Sequence, residues 1–473
     1  MSGAEILGVI VAYQVALIAI GLWARRRTRD HTDYFIGGRN LGGFVASLSY
    51  AAGSSSAWSI LGVSGIAYVQ GVSAVWLLPG TLTGHVIAWF LIARRLRDAS
   101  RANGWVTLTD LVCRDLSGSA RRFATAFAGI AVVVSFVFYV AAQFQGAGHT
   151  FAETFGLPVS TSVAIGAAVI LAYTLLGGFW AVSVTDALQA VVMFVGAVML
   201  CIAAVVACGG LGALFAAVPP EQMAPLGANA GWLAVGFLIG MVSIGFGPLG
   251  QPHLLNRMMA LRDDTALRRG RVVALTWFVV VLTSMFLTGL AGHALATDVV
   301  DGERLFFQLT STLLPAVVAG ITIAAVLSAV MSTADSQLLV AASVVSHDLG
   351  LGRERVSVSR WIITAIVVVA VVISVWLPEA IFSRVLFAWN ALGATFGPLV
   401  LFTVFRWRYA PSAAPVAMVI GFVGTVVFYV LPDTPGDFAE RFLPFIVGIG
   451  LLVVSRRWST PVAAPAKDAV RRA

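Results

Sequence analysis

Apolar runs of 16 to 29 residues recur thirteen times in this chain, and about 20 is the length a helix needs to cross a bilayer. They lie at 4–23, 42–68, 73–93, 123–148, 158–177, 184–208, 231–250, 271–292, 313–341, 360–377, 382–405, 414–431 and 440–455. Of the 473 residues, 59% are hydrophobic and 11% charged. A soluble domain carries about a quarter charged residues. A water-soluble fold of this length has no interior large enough to hide so much apolar surface. The expected fold class is an all-α polytopic membrane protein with about 13 transmembrane helices. The first run begins at Ala4 with no basic segment before it, so it is expected to stay as a span rather than leave as a secretory leader.

The formal net charge is +8. The basic residues cluster in short gaps between runs, which points to a cytoplasmic membrane face and away from nucleic acid. Thirteen spans put the termini on opposite sides. With the C-terminus inside, all but Arg304, Arg384 and Arg441 of the 30 lysines and arginines fall on the cytoplasmic side. The expectation is a multi-pass protein of the cell membrane with its N-terminus outside. No gap has room for a soluble module. The gap near 94–121 contains TLTDLVCRDL, expected to form a short interfacial helix. The expected organisation is one membrane domain over 1–455 and a disordered cytoplasmic tail over 456–473. Within the domain come a first span and loop at 1–41, two repeats at 42–208 and 231–405, and two last spans at 406–455. Neither a phosphate-binding GxxxxGK[ST] loop nor a histidine or cysteine cluster is present, so an ATP-driven pump and an enzyme are both disfavoured.

Span 2 reads GGFVASLSYAAGSSSAWSILGVSG and span 7 reads GFLIGMVSIGFGPLGQPH. Both are apolar helices punctured by Gly, Ser or Pro. Unwound backbone inside a bilayer is tolerated only where it faces protein or a polar cavity. A punctured pair five spans apart points to an inverted-repeat transporter built from spans 2–6 and 7–11. The alternative is that the small residues only let helices pack closely.

In span 9, Ala329, Ser332, Thr333 and Ser336 fall at i, i+3, i+4 and i+7 and share one face. Three hydroxyls on that face, with carbonyls of Ala52 and Ser55 freed in span 2, make an oxygen set for a hard monovalent cation. The alternative reading is that the hydroxyls bond back to their own helix. Asp335 lies within span 9 and Asp186 opens span 6. An intramembrane carboxylate costs on the order of 3 kcal/mol and usually serves a pathway. A capping role at the interface is the other reading for Asp186.

Five stretches resemble the sodium/solute symporter family, in the family's order. They are DYFIGGRNLGGFVASLSYAAGSSSAW, YTLLGGFWAVSVTDALQ, GQPHLLNRMMA, AVMSTADSQLLVAAS and FAWNALGATFGP. The likeness is greatest to the sodium/proline branch. It implies a five-plus-five inverted repeat working by alternating access. It also implies sodium (Na+) held by the carbonyls of Ala52, Ser55 and Ala329 and the hydroxyls of Ser332 and Thr333. Asp186 matches an aspartate linked to coupling, and Asp186, Ser332, Asp335 and Ser336 match a second sodium site of some relatives. Trp58 and Tyr139 match substrate-pocket positions, and Gln143 lies one turn from Tyr139. Three positions depart from the proline branch. Ser54 replaces an aspartate, Ile244 a tryptophan and Pro248 a tyrosine. The expected function is sodium-coupled import of proline or a related amino acid by a monomer or weak homo-oligomer. The alternatives are a monocarboxylate, pantothenate or sugar as solute, or protons as the coupling ion.

Overall fold

The structure is a computed structural model that describes residues 3–25, 36–175, 178–296, 299, 301–350, 356–377 and 379–458. The expected tail, from 459 onward, lies outside the described residues. Among the described residues every long element is a helix, and the one β-type contact is an isolated bridge between Leu41 and Leu261. In chain order the helices that matter are α1 (Gly3–Arg25), α2 (Gly43–Ala57), α3 (Val63–Gln70), α4 (Leu77–Val86), α5 (Ala93–Asn103), α6 (Gly118–Phe155), α7 (Val159–Thr174) and α8 (Phe179–Ala207). Then come α9 (Trp232–Ser243), α10 (Pro252–Met259), α11 (Asp264–Leu295), α12 (Leu305–Leu313), α13 (Ala316–Ser343), α14 (Val356–Trp376), α15 (Ile381–Val404), α16 (Ala413–Val430) and α17 (Phe438–Ser455).

Eleven helical segments, not thirteen, are long and apolar enough to span a membrane among the described residues. The difference has two sources. One segment runs for 61 residues, from Gly43 to Asn103. At 1.5 Å per residue that is about 90 Å, roughly three hydrocarbon thicknesses. It holds two of the expected runs. Gly71, at φ 63°, ends α3, and a tight turn over Gly71–Trp76 leads into α4. The other source is α7, whose 16 residues make it shorter than the apolar helical segments that qualify. A short helix is present in that gap at Leu108–Val112. There Thr107 and Asp110 cap each other, side chain to backbone, at 3.1 Å both ways.

Two helices run through the middle. The apolar stretch of α15 is 94% buried and that of α13 is 78% buried, against 28% for α1. The bilayer gives helices no hydrophobic reason to associate, so backbone approach and polar contacts do that work. A Cβ on Gly84 of α4 would lie 2.0 Å from the Gly245 carbonyl, so only glycine lets α4 touch the interrupted part of span 7. The hydroxyl of Tyr13 in α1 meets that of Ser328 at 2.6 Å on α13. On the arginine-rich side the two interrupted spans are stitched together. Leu41 exchanges backbone hydrogen bonds with Ala260 and Arg262 at 3.0 and 2.9 Å. Arg97 bonds Asp264 at 2.6 Å, and one Arg101 nitrogen donates to the carbonyls of Arg39, Leu261 and Arg262.

Candidate functional site

Span 2 breaks at Ser56, three residues beyond Gly53. Ser56 has φ 50° and ψ −171°, a conformation normally left to glycine that costs of order 1–3 kcal/mol. Its surroundings fix it there. The Ala57 N–H donates to Gln143 Oε1 at 3.0 Å, and the Ser59 hydroxyl donates to the Ser56 carbonyl at 3.1 Å. Span 7 breaks where the sequence indicates. After Ser243 the backbone tightens over Ile244–Leu249 around Pro248, and Gln251 is extended before Pro252 restarts the helix as α10.

Helix α13 meets the first half of span 2 at its hydroxyl face. Ser332 Oγ lies 3.3 Å from the carbonyls of both Ala52 and Ala329. Thr333 Oγ1 lies 3.3 Å from the carbonyls of Ala52 and Gly53. Hydroxyl hydrogen bonds normally sit near 2.7–2.8 Å, so these are long. Neighbouring oxygens of an octahedral shell with ligands at about 2.3 Å lie about 3.3 Å apart. Four of the five expected ligands, Ala52, Ala329, Ser332 and Thr333, therefore lie in one cluster, in which the Ser332–Ala329 contact is also a back-bond within α13. The fifth differs: the Ser55 carbonyl accepts the Trp58 N–H, while the Ser55 hydroxyl is buried without a partner.

Asp186 does not cap its helix. It lies in the second turn of α8, fully buried, where Oδ2 accepts from Ser49 at 2.8 Å, Arg257 at 2.9 Å and Ser336 at 3.3 Å. Arg257 is itself 1% exposed. It also donates to Ser336, to the Ser49 hydroxyl at 3.0 Å and to the His253 carbonyl at 2.5 Å, and it lies over the Phe179 ring. His253 Nε2 in turn meets the Gly53 carbonyl at 3.1 Å. The chain Asp186–Arg257–His253–Gly53 thus joins the carboxylate to the carbonyls beside Ser332 and Thr333. Both oxygens of Asp335, which is fully buried, and Oδ1 of Asp186 have no donor among the described residues.

The expected pocket residues gather around the Ser56 break. Trp58 Nε1 donates to the Ser54 carbonyl at 3.2 Å, while the Ser54 hydroxyl bonds back to Ala51 at 3.2 Å. Gln143 reaches both the Ala57 N–H and, at 3.3 Å, the Tyr139 carbonyl. Tyr139 accepts from Trp389 Nε1 at 2.8 Å, and the Trp58 and Trp389 rings meet edge to face with centroids 5.6 Å apart. Ile244 and Pro248 are buried in the span-7 interruption. Trp389 closes the far side, since a Cβ on Gly247 would sit 2.7 Å from its ring. Residue patterning missed Trp389, Arg257, His253 and Ser56. The signals were available. His253 and Arg257 sit at i, i+4 in GQPHLLNRMMA, and Trp389 is in FAWNALGATFGP.

The sequence pattern of the family described as "Sodium:solute symporter family" matches residues 34–421. The chain belongs to the sodium:solute symporter family. This symporter is 32% identical over 441 residues to the high-affinity proline transporter PutP of Bacillus subtilis (strain 168), covering 90% of this chain and 92% of that protein. It is 31% identical to the sodium/proline symporter of Escherichia coli (strain K12), covering 96% and 93%. Among solved structures, a Na+-coupled sialic acid symporter in a substrate-bound outward-open state superposes with a TM-score of 0.81 at 16% identity, over 97% of this chain and 98% of that one. MhsT in complex with L-phenylalanine gives 0.56 at 15% identity, over 88% and 98%. These structural likenesses carry the fold. The symporter is a multi-pass membrane protein, and its family couples a small solute to sodium.

Proposed function

We propose that this symporter imports proline or a closely related amino acid together with sodium. The observation that carries the reading is the oxygen cluster of Ala52, Ala329, Ser332 and Thr333 at 3.3 Å spacing beside a broken backbone. Both relatives cited above are proline transporters by name. Sodium enters from the side that bears the N-terminus and ties α2 to α13. That tie firms the wall formed by Ser56, Trp58, Gln143 and Tyr139, and the solute binds more tightly. The coupling is reciprocal: the solute raises sodium affinity by the same factor. Asp186 and Ser336 take part in coupling through Arg257, whose guanidinium holds the place a second sodium ion would need. The one membrane domain then rocks the bundle inward, with the C-terminus on the cytoplasmic side.

A second reading keeps the mechanism and changes the solute to a short monocarboxylate. Ser54, Ile244 and Pro248 favour it, because they reshape the pocket relative to the proline branch. Both readings are tested by radiolabelled uptake into proteoliposomes with and without an inward sodium gradient. Proline comes first, then acetate, pantothenate and a sugar. Proline uptake that needs sodium supports the first reading. Uptake unchanged without sodium and abolished by collapsing the pH gradient overturns sodium coupling in favour of protons.

A further inference from the structure

A cavity of about 720 Å³ opens on the arginine-rich side of the membrane domain, between the first turn of α2 and the first turns of α11. It belongs neither to the ion cluster nor to the aromatic pocket. One wall is a single face of α11. Thr265, Arg268, Arg269, Val272 and Val273 fall at i, i+3, i+4, i+7 and i+8. The two arginines precede the two valines by four residues, about 6 Å along the helix axis. The other wall is Phe44 and Val45 of α2. The two helices touch at the floor, where a Cβ on Gly43 would lie 2.2 Å from the Ala266 carbonyl. Phe44 is 59% and Val272 67% exposed, so the trough is apolar and open.

Charge separates this groove from an ordinary lipid-facing surface. Arg262 at its rim is paired with Asp263 at 2.9 Å. The Asp264 carboxylate is taken by Arg97 and Arg94 at 2.6 and 3.2 Å. Among the described residues Arg268 donates to the Thr265 hydroxyl, at 3.3 Å, and feels the Asp264 carboxylate only beyond ion-pair contact, and Arg269 forms no ion pair. Two guanidinium groups with no carboxylate in ion-pair contact among the described residues therefore stand at the mouth of an apolar trough. Guanidinium prefers phosphate in paired hydrogen bonds, and basic pockets between membrane helices favour anionic headgroups.

We propose that the groove holds one anionic phospholipid of the leaflet on that side, with its phosphate between Arg268 and Arg269 and an acyl chain over Val272 and Phe44. The order from charge to apolar surface along α11 is the order of such a lipid. Inorganic phosphate would fill the charged end and leave the trough uncovered. Because α2 forms one wall, the lipid lies against the entrance of the interrupted span.

Native mass spectrometry of the purified full chain tests this, titrating phosphatidylglycerol against phosphatidylcholine. The wild type is expected to retain one phosphatidylglycerol in preference to phosphatidylcholine. Each surface arginine contributes about 1 kcal/mol to anionic-lipid binding, so Arg268→Gln with Arg269→Gln should lower the preference about 30-fold. Val272→Trp fills the trough and keeps the arginines, and it should also release the lipid. All three side chains are on the surface, so a monodisperse size-exclusion peak is expected for every variant. Equal retention of the two lipids by the wild type overturns the proposal. So does a preference unchanged in the double variant, or displacement of the lipid by millimolar inorganic phosphate. A concentration-dependent dimer that the same variants abolish would make the groove a contact between copies and overturn it too.

Discussion

Arg257→Gln is the substitution whose consequence the structure defines best. It removes one of three donors to Asp186 Oδ2 and leaves the carboxylate fully buried with Ser49 and Ser336. At the observed 2.9 Å, opposite charges attract by about 6 kcal/mol with an effective dielectric constant of about 20. Desolvation of the two ions cancels much of that in the intact pair, but it is not recovered when only one partner goes. Breaking such a pair costs about 3–5 kcal/mol. Asp186→Asn should cost a similar amount, by stranding the guanidinium. The double variant leaves neither charge stranded, so its loss should fall short of the sum of the singles by about 2–3 kcal/mol. Asp335 adds a second sign. With Arg257 gone, two carboxylates are buried with no cation between them, so Asp335→Asn should recover part of the stability lost in Arg257→Gln. Reversible unfolding in mixed micelles with increasing sodium dodecyl sulfate, followed by tryptophan fluorescence, measures all of these free energies. Additivity of the two singles within about 0.5 kcal/mol would mean that Asp186 and Arg257 do not meet in the folded protein.

The other tests address the ion cluster, the pocket wall and the loop before α12. Ser332→Ala with Thr333→Ala removes both hydroxyls and should abolish sodium-stimulated uptake in proteoliposomes; wild-type uptake would exclude the cluster as the ion site. Gly247→Ala places a methyl group 2.7 Å from the Trp389 ring and should cut uptake by about 5- to 150-fold, through about 1–3 kcal/mol of overpacking. Unchanged uptake would show that Trp389 does not form the pocket wall. Glu303 is 7% exposed and accepts the Phe382 N–H at 3.1 Å, and burial pushes its carboxyl from the ordinary 4.5 up to about 7 against that bond. Between pH 4.5 and 7 the folded protein keeps a proton that the unfolded chain releases, so stability falls as pH rises through that window. Glu303→Gln should remove this fall, and thermal unfolding at pH 5 and pH 8 reads it. Equal pH dependence in the two proteins would show that Glu303 is not the titrating group.

The fold and half of the site were legible because they depend on features that repeat or sit close in sequence. Hydrophobic run length marks a span whatever its neighbours are, and it falters only where two spans join through a turn at Gly71 or where α7 is short. The hydroxyl face of α13 could be read because Ser332 and Thr333 are fixed by helical spacing on one element. The break in span 2 was legible only to within a few residues. Glycine is the usual marker of an unwound position, yet here Gly53 stays in the helix and Ser56 takes the glycine-like conformation. What holds Ser56 there is Gln143, 87 positions away.

Arg257 was hidden for a more general reason. Counted along the chain, it belongs with Arg262, Arg268 and Arg269 in a basic gap that orients the protein. In space, α10 follows the extended Gln251, and the guanidinium is buried against Asp186, 71 residues distant in sequence. Placed there it closes a charge balance that no single helix reveals. Asp186 and Asp335 bring two buried carboxylates, and Arg257 supplies one cation without entering or leaving with the solute. Asp335 is left as the buried carboxyl group without a donor among the described residues. Under the proposed mechanism, that difference between a tethered cation and a travelling one is what sets how many sodium ions accompany each solute. The ratio should therefore be one in the wild type, which a reversal-potential measurement in proteoliposomes reads directly, and a ratio of two would remove Arg257 from that role.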